Sequence, residues 1–195
     1  MERFHEIGRG KIAAIATSLE IRERPAPRPA PADLPGQVVP WPQPDAPTYL
    51  ALYRKVGAAH LWFSRLYMSP AELEAALASP ATMIFSWRVD GEDEGLLELD
   101  FAGGEDCEIK YFGVTERLQG TGAARALMNH AIETGFARPI RRLWLHTNTI
   151  DHPRALGFYR RTGFEPIGQS LEIADDPRLN GALPRDAAPH VPIFD

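Results

Sequence analysis

The stretch RLQGTGAARALMNHA, Arg117 to Ala131, decides how the rest of the chain is read. Two glycines, Gly120 and Gly122, stand immediately before a run with helical periodicity. Ala124, Leu127, Met128, Ala131 and Ile132 fall on one stripe, which predicts a helix over about 121–137. A helix N-terminus exposes unpaired N–H donors and partial positive charge. Most helices meet that charge with Asp or Glu in the first turn. Here Thr121 to Arg125 holds no acid and Arg117 adds a cation, so the turn suits an anion, and glycine lets the backbone approach it closely. The Gly-Lys-Ser/Thr ending of a nucleotidase phosphate loop is absent. A dinucleotide fingerprint would need glycine where Arg125 stands. A plain structural turn and a pyrophosphate cradle remain.

Upstream, ATMIFSWRVDGEDEGLLELDFAGGEDCEIKYFGV holds three β-rich runs separated by Asp90-Gly91 and Gly103-Gly104. These turn dipeptides predict an antiparallel meander with strands near 82–89, 95–102 and 106–114. Downstream, 141–147 reads as a buried strand, 153–162 as a helix stopped by Gly163, and FEPIGQSLEI as a final strand. The strands ending at 114 and starting at 141 flank a helix and should be parallel neighbours. Nearer the N-terminus, Ile12 to Arg24 reads as a first strand and Pro47 to Ala59 as a helix. Ser69-Pro70-Ala71-Glu72 reads as a capping box opening a second helix. The order β, αα, βββ, α, β, α, β predicts a mixed α/β (α+β) sheet, mostly antiparallel with one parallel pair. The whole of 1–195 reads as one domain. Prolines make 25–47 a surface wrap with extended geometry, and 175–195 a surface tail.

The 195 residues carry a net charge of −5, and the basic residues around Arg24 and Arg28 are scattered, so no nucleic-acid partner is expected. The single cysteine, Cys107, excludes an internal disulfide and a cysteine-based zinc site. No apolar run approaches a membrane span, and the first residues lack the apolar core of a signal peptide. The expectation is a cytoplasmic chain with no membrane partner. His146, Asp151 and His152 match no common zinc or triad pattern, so no metal is expected. Asp151-His152-Pro153 reads as the cap of the following helix.

Two motifs in order carry a resemblance. Arg117-Leu118-Gln119-Gly120-Thr121-Gly122 matches the Arg/Gln-x-x-Gly-x-Gly/Ala cradle of acetyl-CoA enzymes. HPRALGFYRRTGF resembles the second block of the same family through Ala155, Phe158, Tyr159, Gly163 and Phe164. The chain thus resembles the GNAT superfamily of N-acetyltransferases over most of 80–170. His152 stands where the family has Asn. The run His146-Thr147-Asn148-Thr149-Ile150-Asp151-His152-Pro153 is also similar to that of a bacterial subgroup.

The resemblance implies a sheet splayed between the strands ending at Val114 and Thr147, with acetyl-CoA as co-substrate. Its contacts would be Phe112, Gly113 and Val114 on the strand, Arg117, Leu118, Gln119, Gly120, Thr121, Gly122 and Ala123 in the cradle, and Asn148, His152 and Phe158. Acetyl transfer to an amine of pKa about 10.4 needs a base. The resemblance makes Glu108 that base and Tyr159 the acid at the departing sulfur, with Glu98 and Asp100 as rivals to Glu108. Glu108 could instead be a strand carboxylate paired with Lys110, and Tyr159 a packed core aromatic. Trp62, Phe63 and Arg65 are candidate acceptor contacts, and Cys107 reads as packing on the face opposite Glu108. The acceptor would be a small-molecule or peptide amine; a homodimer is an option the sequence leaves open. A non-catalytic acyl-CoA-binding module and a structural or partner-binding domain are the alternatives.

Overall fold

The computed structural model describes residues 4–195. Seven strands form one sheet: β1 (Lys11–Ile21), β2 (Gln37–Pro40), β3 (Thr82–Val89), β4 (Glu92–Asp100), β5 (Asp106–Val114), β6 (Arg142–Asn148) and β7 (Glu165–Asp175). Their order is β2-β3-β4-β5-β6-β1-β7. The meander β3-β4-β5 is antiparallel as its turns predict, and β5–β6 is the parallel pair. Four helices flank the sheet: α1 (Ala46–Gly57), α2 (Pro70–Ala78), α3 (Ala123–Phe136) and α4 (Ala155–Thr162).

Local chemistry sets the helix starts. Asp45 accepts from the Thr48 N–H at 3.0 Å to cap α1. Ser69 and Glu72 close the expected capping box on α2. On one side of the sheet, Leu127, Met128 and Ala131 of α3 pack with Leu97, Leu99, Cys107, Leu143 and Phe164. On the other, Tyr49, Leu52, Tyr53 and Val56 of α1 and Leu73 and Leu77 of α2 pack on Ile84 and Leu96. Cys107 is fully buried, and burial raises its thiol to about 12, so it serves as packing.

The register of β4 on β5 shifts between Glu98 and Leu99, leaving Lys110 without a counterpart. This bulge lets Ile109 join the α3-side core while Tyr111 joins the α1 side, although the two are only two residues apart. In a regular strand they would share a face.

Two expectations change. The segment 25–47 is more than a wrap, because Gln37–Pro40 pairs with β3 and Val38 packs on the core. Its edge position tolerates Pro40. The tail is not a loose surface strand. Leu183 and Ala188 cover Ile12 and Ala14 of β1, together with Leu61 and Ile150. Buried Arg178 pairs with Asp176 at 2.7 Å and donates to the Val191 carbonyl at 2.8 Å, cross-linking the tail to itself. Burial alone would raise the Asp176 carboxyl, but Arg178 outweighs it and holds the pKa low.

Candidate active site

The parallel pair is short. Only Asp106↔Arg142, Cys107↔Leu143 and Glu108↔Trp144 are in register, after which β5 and β6 part. Ile109–Val114 forms one lip of the opening and Leu145, His146 and Asn148 the other. Between them lies a cavity of about 440 Å³ that runs to Gln119, Gly120, Gly122 and Ala124. Gly113 sits where α1 presses on β5: a Cβ there would lie 2.6 Å from Val56 and 3.4 Å from Trp62.

The glycine turn presents unpaired donors to this cavity. Gly122 ends the turn at φ +102° with no side-chain cap on α3. Thr121 Oγ accepts from the Ala123 N–H at 3.2 Å, and the Ala126 N–H reaches the Gly122 carbonyl. The N–H groups of Gly120, Gly122, Ala124 and Arg125 meet no acceptor among the described residues. No acid stands in the first turn. Four free donors and glycine flexibility fit a pyrophosphate.

The expected contacts divide. Phe112, Gly113, Val114, Gln119, Gly120, Gly122, Asn148, His152, Phe158 and Tyr159 line the cavity. Arg117 instead turns away to Glu94 at 3.3 Å and Asp90 at 3.6 Å. Leu118 and Ala123 are buried in the core, and Thr121 is spent on the turn itself, donating to the Leu118 carbonyl at 2.8 Å.

Tyr159 is held by Phe112, Phe158 and Phe164, with ring centroids 6.1, 5.5 and 6.0 Å away. Its hydroxyl finds no hydrogen-bond partner among the described residues. Burial pushes its pKa well above the ordinary value, so the phenol keeps its proton.

Glu108 sits at the root of the opening, behind the lining. Its carboxylate is 3.8 Å from Lys110 Nζ and 4.0 Å from His146 Nδ1, both of which line the cavity. Burial raises its pKa, and the neighbouring Lys110 and His146 only partly offset that. The rivals are occupied. Glu98 is fully buried, accepting from Tyr49 Oη at 2.6 Å and from the Arg65 guanidinium. Asp100 binds Lys110 at 2.7 Å; burial acts upward on its pKa, but Lys110 and the Ala102 N–H carry it below the usual value.

Trp62 and Phe63 line the cavity with Tyr53, His60, Ser64 and Tyr111, whereas Arg65 lies beneath them on Glu98. Tyr111 Oη and Ser64 Oγ are 2.6 Å apart, and the Arg65 guanidinium lies 5.3 Å from the Tyr111 ring centre. His60 Nδ1 is buried without a partner among the described residues, and burial lowers the His60 pKa. Asp151 does not cap α4. It accepts from Thr147 Oγ at 2.7 Å and the Asn148 N–H at 3.0 Å, tying the end of β6 into the turn that follows. Helix α4 starts at Arg154 with no side-chain cap.

Sequence reasoning missed His60, Lys110, Glu172 and four arginines in the lining: Arg28, Arg125, Arg154 and Arg161. Arg125 could have been found as the cation of the cradle helix. The others are joined only by folding. No group of three or more metal-type side chains occurs among the described residues. No helix among them is long and apolar enough to cross a membrane.

Solved structures share this fold. A GCN5-related N-acetyltransferase from Sphaerobacter thermophilus superposes with TM-score 0.59 at 16% identity, over 84% of this chain and 52% of that one. An aminoglycoside acetyltransferase from an uncultured soil metagenomic sample gives 0.54 at 17% identity, over 65% of this chain and 86% of that one. The model of the acetyltransferase (GNAT) family matches residues 39–164, and the chain belongs to that family. An uncharacterized N-acetyltransferase of Mycobacterium tuberculosis is 33% identical over 101 residues, 52% of this chain and 64% of that protein. The match thus spans less than two thirds of that relative's length.

Proposed function

We propose that this chain transfers an acetyl group from acetyl-CoA directly to a primary amine while both are bound. The observation that carries the reading is the continuity of the cavity from the unpaired N–H groups of the cradle, through the parted β5 and β6, to the aromatic wall at Trp62 and Tyr111. Its two ends suit the two substrates, and its middle holds Tyr159.

In this reading the cradle donors bind the pyrophosphate, and β5 over 112–114 pairs with the pantetheine arm. A backbone N–H there stabilises the thioester oxygen as it gains charge. The ammonium of the acceptor loses its proton through a bridging water to Glu108, whose burial has raised its basicity. The amine nitrogen then bonds the acetyl carbon, the carbon–sulfur bond breaks, and the nitrogen gives its second proton to solvent water to leave the neutral amide. The sulfur leaves as a thiolate that accepts a hydrogen bond from Tyr159. Holding amine and thioester in register supplies much of the rate.

Acetyl-CoA should raise the melting temperature where ATP and NAD at equal concentration do not, since ~100 times Kd adds about 2.7 kcal/mol. Release of free CoA across a panel of small and peptide amines then tests turnover. A shift without CoA release from any amine would leave an acyl-CoA-binding module. No shift at all would remove the carrier from the reading.

A further inference from the structure

Residues 25–35 do not lie loosely on the surface. They run from α4 to α3 across the cradle. Pro25 lies 3.7 Å from where a Cβ on Gly163, the C-cap of α4, would stand. The Arg28 backbone exchanges two hydrogen bonds with the Asn129 side chain of α3, at 3.2 and 2.8 Å. Arg125 Nη1 donates to the Pro29 carbonyl at 2.6 Å. Pro31 and Leu34 cover Gly122, where a Cβ would stand 2.6 and 3.3 Å from them. The Pro35 carbonyl accepts from Trp87 Nε1 at 2.8 Å. Prolines keep the strap extended at low entropic cost. The whole strap precedes residue 39, where the match to the family model begins.

This strap carries Arg28 into the cavity lining, which also holds Arg125 and Arg161. Arg161 folds back one turn along α4, its Nη1 3.1 Å from the site of a Gly157 Cβ. None of the three guanidiniums meets a carboxylate among the described residues. The cradle already offers neutral N–H donors for a pyrophosphate, so three full positive charges beyond them call for further anionic charge on the same ligand. A phosphomonoester with a second pKa near 6 carries about −1.5 to −2 at neutral pH. Resting on the acetyl-CoA reading above, we propose that the strap is a built-in part of the carrier site. Arg28, with Arg125 and Arg161, binds the 3′-phosphate of the carrier's ribose and selects the 3′-phosphorylated form over the dephosphorylated one.

Calorimetric titration of the full chain with acetyl-CoA and with 3′-dephospho-acetyl-CoA tests this. Wild-type protein should prefer acetyl-CoA by ~10-fold or more, and the preference should shrink as salt is raised. Arg28→Gln should weaken acetyl-CoA by ~3- to 30-fold, a range discounted for partial solvent exposure, with little change for the dephosphorylated ligand. Arg28→Lys should recover part of the loss, which a merely structural role would not do. Equal losses on both ligands would move Arg28 to the pyrophosphate and overturn the proposal, as would an unchanged affinity in Arg28→Gln. Wild-type protein that binds both ligands equally refutes the selectivity but keeps the carrier reading. Wild-type protein that binds neither refutes both.

Discussion

Replacing Tyr159 by Phe removes one oxygen and leaves the ring among Phe112, Phe158 and Phe164. Because the hydroxyl bonds no group among the described residues, its loss breaks no hydrogen bond there, and stability should move by less than ~1 kcal/mol. The rate effect follows from what the phenol can give. A CoA thiolate resembles a cysteine thiolate of pKa about 8.5. Burial has pushed the Tyr159 pKa well above its usual value, so complete proton transfer to that thiolate is uphill. What remains is a hydrogen bond to a developing anion, about 1.5–3 kcal/mol. At 1.36 kcal/mol per decade this is a fall in kcat of ~10- to 150-fold. Turnover is followed as free thiol released from acetyl-CoA with the best amine of the panel, and carrier affinity by calorimetry. A more acidic thiol leaving group should narrow the gap between wild type and variant. A rate within ~2-fold of wild type per folded molecule would refute the role, and so would a loss confined to carrier affinity.

Glu108→Gln should lower kcat/KM by ~10²–10⁴-fold and abolish an acid limb that lies above the ordinary glutamate pKa of about 4.3, because activity falls as pH drops through a raised pKa. A folded-state pKa raised by burial also means that this carboxylate costs stability once pH exceeds it, so Glu108→Gln should melt no lower at neutral pH; a retained limb or a clear drop in melting temperature contradicts the assignment. His146→Gln should leave kcat within ~3-fold, and a loss as large as that of Glu108→Gln would hand the proton to the imidazole. Gly122→Ala faces both a φ of +102° and Pro31 at 2.6 Å, so it should cost ~1–3 kcal/mol and free the strap, speeding hydrogen exchange at the Arg28 N–H that Asn129 now holds; unchanged exchange there would show that the strap does not rest on Gly122. Arg65→Met strands the buried Glu98 carboxylate and should cost ~3–5 kcal/mol in urea unfolding, while Arg65→Met with Glu98→Gln should recover part of it; a single-variant loss under ~1 kcal/mol would mean that solvent reaches the pair.

The glycine turn and the helix it opens were legible because their signal is local: two glycines, a missing acid and a helical stripe within fifteen residues. The meander was legible from turn dipeptides for the same reason. What failed depends on distant partners. Four residues of β2 are hidden by the prolines around them, and only the exposed edge of β3 makes them a strand. The tail reads as polar and proline-rich, yet Arg178 binds carbonyls more than a dozen residues on. Asp151 has the spacing of a helix cap but turns back to Thr147, a choice between two local partners that the sequence does not rank. The bulge at Lys110 breaks the period of two on which side-chain direction is read. Glu98 was a rival base until folding set Arg65 and Tyr49 on it.

The pairing of charge separates structure from site. Arg22, Arg88, Arg117, Arg141, Arg142, Arg178 and Arg185 each meet a carboxylate within 4 Å. In a chain with 26 acidic and 21 basic side chains, carboxylates are not scarce, so an arginine left without one needs a reason. Arg54 and Arg160 have one: they stand exposed in the last turns of α1 and α4, as Arg161 also does, where a cation complements the helix carbonyls, while Arg9 and Arg138 lie over the rings of Phe194 and Phe101. Arg28, Arg125, Arg154 and Arg161 have the same cavity wall in common, reached from the strap, α3 and α4. The same lining holds Asp151 and Glu172, so these four arginines outnumber its carboxylates within a protein of net charge −5. On the acetyl-CoA reading, a polyanionic carrier would be drawn to that wall. The strap that supplies Arg28 also covers Gly122, so the contact that closes the cradle and the charge that fills it come from the same eleven residues, 25–35.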